Sequence, residues 1–102
     1  MLELEENKHN LLILKEKIES LEEALNISSL ENEIKELEEK TAEANFWDDQ
    51  KNSGIILTKM KRLQNKVEKF YKLKSEYENL ESLNELLLIE EDIELGKEVL
   101  KN

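Results

Sequence analysis

From Leu4 onward the leucines and isoleucines recur at separations of three and four, and almost nothing interrupts them: the chain has no Pro and only two glycines, Gly54 and Gly96. A repeat of that period lines apolar side chains along one stripe of an α-helix, whereas a half-buried strand needs strict alternation. An all-α fold follows. Leu4, Leu11, Leu14, Ile18, Leu21 and Leu25 mark a first helix over about Glu3 to Leu25, with Lys8 in the missing turn. Leu12 and Ile13 widen the stripe, as in a helix that packs against more than one neighbour.

The pattern breaks at Asn26-Ile27-Ser28-Ser29. Ser28 followed by Glu31 has the form of a capping box, with Ile27 ahead of it as a hydrophobic staple. A second helix is expected to carry its apolar face through Leu30, Ile34, Leu37 and Ala44, with Thr41 between, and to end near Asn45. The short polar connection between these two helices permits either a fold-back or a kink.

The segment Asn45-Phe46-Trp47-Asp48-Asp49-Gln50 holds the only Trp and one of two Phe residues. It must reverse the chain between an acidic helix and a long one. Asp48 is placed to cap the long helix, Asp49 then sits at the positive end of its dipole, and Phe46 and Trp47 are positioned to wedge between helices. Ile56, Met60, Leu63, Val67 and Phe70 continue the spacing, and Tyr77, Leu80 and Leu87 extend it to about Ile89. Between Phe70 and Tyr77 the seam falls on Lys74 while Leu73 moves into register, which predicts a phase slip. Glu90-Glu91-Asp92 reads as a polar turn, with Asp92 capping the start of a fourth helix through Ile93, Leu95, Val99 and Leu100. The expected fold is therefore an antiparallel, coiled-coil-like helical bundle of a single domain. Two shorter helices are expected to pack along one long helix, and with its final helix read as unfinished the chain is expected to be a fragment.

Charged residues are 39% of the chain, and the formal net charge of −10 opposes nonspecific binding to nucleic acid or anionic membrane. The distribution is uneven: Lys51, Lys59, Lys61, Arg62, Lys66, Lys69, Lys72 and Lys74 face only Glu68 within their stretch. This basic segment has two readings, pairing with the acidic helices, which is favoured, or an RNA-facing or partner-facing patch. The absence of Cys removes disulfides and thiolate metal sites and fits a reducing, cytoplasmic setting. The apolar runs Leu11 to Leu14 and Leu86 to Ile89 are too short to span a bilayer, so no membrane partner is expected.

His9 has no second ligand or nucleophile at helical spacing, and Glu22-Glu23 and Glu38-Glu39 read as solvated faces rather than metal or acid/base pairs. There is no Gly-rich phosphate loop and no nucleophile elbow. No catalytic residue, cofactor or metal is assigned, and enzymatic chemistry is not expected. Tyr71 and Tyr77 read as amphipathic packing residues with their hydroxyls in water.

The Phe46-Trp47-Asp48-Asp49 turn, followed by a long helix through Leu63, Phe70, Tyr71, Leu73 and Tyr77 into Glu90-Glu91-Asp92, resembles the N-terminal domain of the bacterial peptide chain release factor 2 family, among the class I release factors. The resemblance covers essentially the whole chain. It implies a helical interaction and positioning domain in protein biosynthesis, belonging to a factor that directs translation termination on the ribosome at UGA and UAA codons in the cytoplasm. The family's Ser-Pro-Phe codon-reading tripeptide and Gly-Gly-Gln hydrolysis motif are absent from these residues, so the resemblance implies a segment that neither decodes nor hydrolyses peptidyl-tRNA. It further implies contact with the large-subunit stalk base, the L11 protein and its rRNA, and a link to the recycling GTPase release factor. Lys59, Lys61, Arg62, Lys66 and Lys69 are the candidate ribosome-facing residues. One departure is the missing Leu-Tyr-Asp-Tyr-like stretch around Leu25-Asn26-Ile27-Ser28, the place associated in the family with a programmed frameshift.

Composition and periodicity alone fit a rival equally well: a stand-alone coiled coil, structural or adaptor, that self-associates or bundles with a partner. The Phe-Trp-Asp-Asp turn and the unfinished final helix favour the release-factor reading.

Overall fold

The structure, a computed structural model, describes residues 2–101. Three α-helices account for nearly all of them: α1 over Leu2–Leu25, α2 over Ile27–Thr41 and α3 over Gln50–Lys101, with a 3-10 turn at Phe46–Asp48 before α3. No strand occurs among the described residues, and two shorter helices pack along one long helix as the 3-4 spacing predicts. The chain divides into two compact units, a central unit Leu21–Lys72 and a terminal unit built from Met1–Ser20 and Leu73–Asn102.

In the central unit the core is Ile27, Leu37, Phe46, Leu63 and Phe70, all buried. Each such side chain stabilises the fold by roughly 1.5–3 kcal/mol through the apolar surface it removes from water. Tyr71 reaches Glu31 and Gln64 reaches Glu38, so α3 runs back as α2 runs forward. In the terminal unit Ile18 and Tyr77 are buried, and the side-chain amide of Asn84, also buried, donates to the Leu4 carbonyl at 3.2 Å.

Asn26, alone between α1 and α2, adopts the left-handed conformation (φ 52°, ψ 59°) that Asn tolerates better than most residues. Its backbone N–H donates to Glu23 and its carbonyl accepts from Leu30. The expected Ser28–Glu31 capping box is therefore corrected: α2 has already begun at Ile27, and no side chain caps it. Ile27, the expected staple, is buried at the helix start instead.

α2 also ends earlier than expected, at Thr41 rather than near Asn45. The Thr41 hydroxyl donates to the Glu38 carbonyl at 2.7 Å, and Ala42 and Glu43 N–H groups bond three residues back, tightening the last turn.

The expected fourth helix is not separate. α3 passes through Glu90-Glu91-Asp92 without a break because none of these residues is a helix breaker and Glu is a good helix former. The expected phase slip at Lys74 does not occur either. The buried or half-buried positions of α3 are Ser53, Ile56, Met60, Leu63, Val67 and Phe70 in the central unit, then Lys74, Tyr77, Glu81, Asn84, Leu88 and Glu91 in the terminal unit. The separations alternate three and four throughout, with Leu57 and Gln64 also half-buried beside the seam. The register thus holds, and what changes along it is polarity: Lys74 keeps the seam position and Leu73 stays exposed.

Candidate functional site

The reversal between α2 and α3 is built by successive short turns. Phe46 N–H donates to Glu43, and Asp48 N–H to Asn45, each three residues back. With three residues per turn, neighbours on a 3-10 segment point roughly 120° apart, so Phe46 and Trp47 cannot both face inward. Phe46 is 6% exposed and Trp47 61%. The wedge expected of both rings is therefore made by Phe46 alone, and Trp47 covers it from outside, edge to face at 4.8 Å and 87°.

The long helix is capped by Asp49, not by Asp48 as the sequence reading expected. Asp49 is extended (φ −107°, ψ 93°), its Oδ1 accepts the Asn52 N–H at 3.1 Å, and its carbonyl accepts the Ser53 N–H at 2.9 Å. Asp48 closes the 3-10 turn and its N–H is already committed to Asn45. Ser53 fastens the turn to the helix: its buried hydroxyl lies 2.5 Å from the Phe46 carbonyl and 2.8 Å from that of Asp49, sharing one proton between them. Ser53 was not among the sequence candidates, yet it falls on the 3-4 seam one step before Ile56, which is the signal that finds it.

The basic stretch divides. Lys59 pairs with Glu33 across the central unit at 2.8 Å. Lys61, Arg62, Lys66 and Lys69 are exposed, and among the described residues no ion pair engages them. Arg62, Lys66 and Lys69 are separated by four and three, so they form one cationic stripe on α3. Internal pairing thus accounts for one of the five candidate cations.

The two tyrosines make hydroxyl contacts that the sequence reading left to water. Tyr71 donates to Glu31 Oε1 at 2.9 Å, and this hydrogen bond, with partial desolvation and the charges of Glu31 and Glu22, raises its pKa. Tyr77, buried, donates to Glu81 one turn on, and that bond, followed by desolvation and nearby carboxylates, pushes its pKa up to about 12. Both rings therefore anchor acidic side chains as neutral donors. His9 is exposed, and no cluster of three His, Cys or acidic residues that could hold a metal ion occurs among the described residues. No helix among them is long and apolar enough to cross a membrane.

The polar features of this all-helical chain are thus a capped turn and a cationic stripe. The chain matches the PCRF domain family over residues 30–102, and it belongs to that family. It is 35% identical to peptide chain release factor 2 of Clostridium perfringens (strain SM101) over 100 residues, covering 98% of this chain and 27% of that protein. Peptide chain release factor 2 of Petrotoga mobilis is 37% identical over 73 residues, 72% of this chain and 20% of the relative. That of Staphylococcus saprophyticus is 35% identical over 91 residues, 89% and 24% respectively. The chain spans about a quarter of the length of the curated relatives it matches. No solved structure matches it significantly.

Proposed function

We propose that these residues form the N-terminal helical positioning domain of a translation release factor acting in the cytoplasm at UGA and UAA codons. The observation that carries this reading is the match to peptide chain release factor 2 along nearly the whole chain. On this reading the domain contributes contact rather than chemistry. Peptidyl-tRNA hydrolysis and codon reading belong to parts of the factor outside residues 1–102, and the domain's role is to orient them.

The partner is the ribosome, at the large-subunit stalk base with the L11 protein and its rRNA, and the recycling GTPase release factor is a second candidate. The solvent-facing cations Lys61, Arg62, Lys66 and Lys69 support an RNA-facing stripe on a chain whose overall charge would otherwise oppose one. Lys59 contributes less, because it is already paired with Glu33.

Co-sedimentation of the 102-residue chain with purified ribosomes tests this. The chain is expected in the ribosomal pellet at low salt, and the triple variant Arg62→Glu, Lys66→Glu, Lys69→Glu is expected to remain in the supernatant with its helicity unchanged. Equal pelleting of both proteins would remove the role assigned to the stripe. Absence of the parent chain from the pellet would overturn ribosome contact by this segment.

A further inference from the structure

We propose that the terminal unit carries a docking groove for a basic amphipathic helix. Leu11 and Leu14 of α1 and Leu80, Leu83 and Leu87 of α3 line a groove of about 350 Å³, entirely within this unit. Leu80 and Leu83 are 52% and 54% exposed, although both are large aliphatic side chains. Their exposure has a structural cause. The seam position between them and Leu87 is Asn84, whose amide is tied to the Leu4 carbonyl, so the contact between α1 and α3 is made there and the leucines beside it are left uncovered.

Leu80, Leu83 and Leu87 are spaced three and four, the anchor pattern by which one helix receives another in a groove. A contiguous aliphatic surface of this kind on a highly charged chain marks an interaction site. The surrounding charge selects the occupant. From Glu76 to Glu94, α3 carries eight carboxylates and no Lys or Arg. Lys8 and Lys15 of α1 lie with Glu81 and Glu85 around a separate depression that shares Leu11 and Asn84 with the groove. A second copy seated groove against groove would bring the same eight carboxylates against those of the first, which opposes self-docking in that arrangement. A helix with aliphatic anchors and flanking Lys or Arg complements both the apolar floor and the net negative charge of this stretch of α3. This site goes beyond the cationic stripe, lies on the other unit and does not depend on the ribosome reading.

The test is calorimetric titration of the full chain with a synthetic amphipathic peptide carrying Leu at 3-4 spacing and Lys elsewhere, beside the same peptide with every Lys replaced by Glu. The Lys peptide is expected to bind one to one, more weakly at high salt, and the Glu peptide not to bind. Leu80→Gln with Leu83→Gln should weaken the Lys peptide by about tenfold or more. Circular dichroism guards against unfolding, and Leu83→Ala alone, at a side chain more than half exposed, supplies a milder variant expected to weaken binding in the same direction. Equal binding by the parent and both leucine variants would overturn the proposal, because charge alone would then be responsible. Binding of the Glu peptide would overturn it as well. A dimer of the free chain that is lost in the double variant would assign the groove to a second copy instead.

Discussion

The two units use one heptad register for different ends. In the central unit the α3 seam reads Ser53, Ile56, Met60, Leu63, Val67 and Phe70; in the terminal unit it reads Lys74, Tyr77, Glu81, Asn84, Leu88 and Glu91. The central unit carries nine basic and eleven acidic residues, whereas the terminal unit carries six and fourteen. Where the seam is apolar, it forms a core. Where it is polar, Asn84 supplies one hydrogen bond from α3 to the Leu4 carbonyl of α1 and Tyr77 one to Glu81 within α3, while leucines off the seam face solvent. The spacing of apolar residues therefore locates a helix everywhere, but locates its core only where the apolar residues and the seam coincide.

The largest effect expected to separate the units is Phe46→Ala. Phe46 is enclosed at the chain reversal, so its truncation should destabilise the central unit by about 3–4 kcal/mol in chemical denaturation. Trp47→Ala, at the neighbouring but mostly exposed ring, should cost less than about 1 kcal/mol. If the Trp47 variant lost as much as the Phe46 variant, the division of labour within the 3-10 turn would be wrong.

Much of this was legible in advance. The all-α class, the span of α1, the position of the reversal and the start of the long helix all follow from unbroken 3-4 spacing and the absence of Pro. The misplaced details share a cause: they depend on backbone geometry finer than residue type. Asp48 and Asp49 are chemically identical, and only the three-residue turn decides which carboxylate meets the helix N-terminus. Phe46 and Trp47 are likewise both apolar, and the turn period exposes one of them. Past Lys74 the apolar pattern and the true register diverge: Tyr77, read on the stripe, is buried there, but following leucines led to Leu80 and Leu87 rather than to Glu81 and Asn84. The polar seam was visible as a fixed count from Phe70 but not as hydrophobicity. Of the candidate surface, the cationic stripe was legible as composition, whereas the pairing of Lys59 with Glu33 needed the fold.

Two substitutions of intermediate size probe the caps and the seam. Asp49→Ala should cost about 1 kcal/mol, the usual loss of an N-cap, with Asp48→Ala smaller. The reverse order would restore Asp48 as the cap. Asn84→Leu should raise the melting temperature by a gain of up to about 1 kcal/mol, because the Leu4 carbonyl keeps its own helical acceptor role and the new side chain joins the aliphatic floor beside it. The accompanying cost is specificity. A single buried Asn on a seam fixes register, so amide protection in the terminal unit should become less uniform while that of the central unit is unchanged.

The last contrast between the units is read in alkaline solution. Tyr77 loses its proton in the folded chain only at about 12, well above the ordinary tyrosine value of 10.0, because its hydroxyl donates to Glu81 and cannot do so once ionised. The folded state therefore holds this proton more tightly than the unfolded state does. Its contribution to stability is fully present below pH 10 and is lost as pH rises from about 10 toward about 12. Tyr77→Phe removes both the hydrogen bond and the titration, so the variant should be less stable at neutral pH yet show a flatter decline across that window. Tyr71→Phe serves as the companion in the central unit, where a raised pKa arises from the exposed Glu31 contact and solvent weakens the coupling. A steeper alkaline loss traced to Tyr71 than to Tyr77 would mean that the exposed contact, not the seam, holds the stronger pair, and the contrast between an apolar and a polar seam would have to be redrawn.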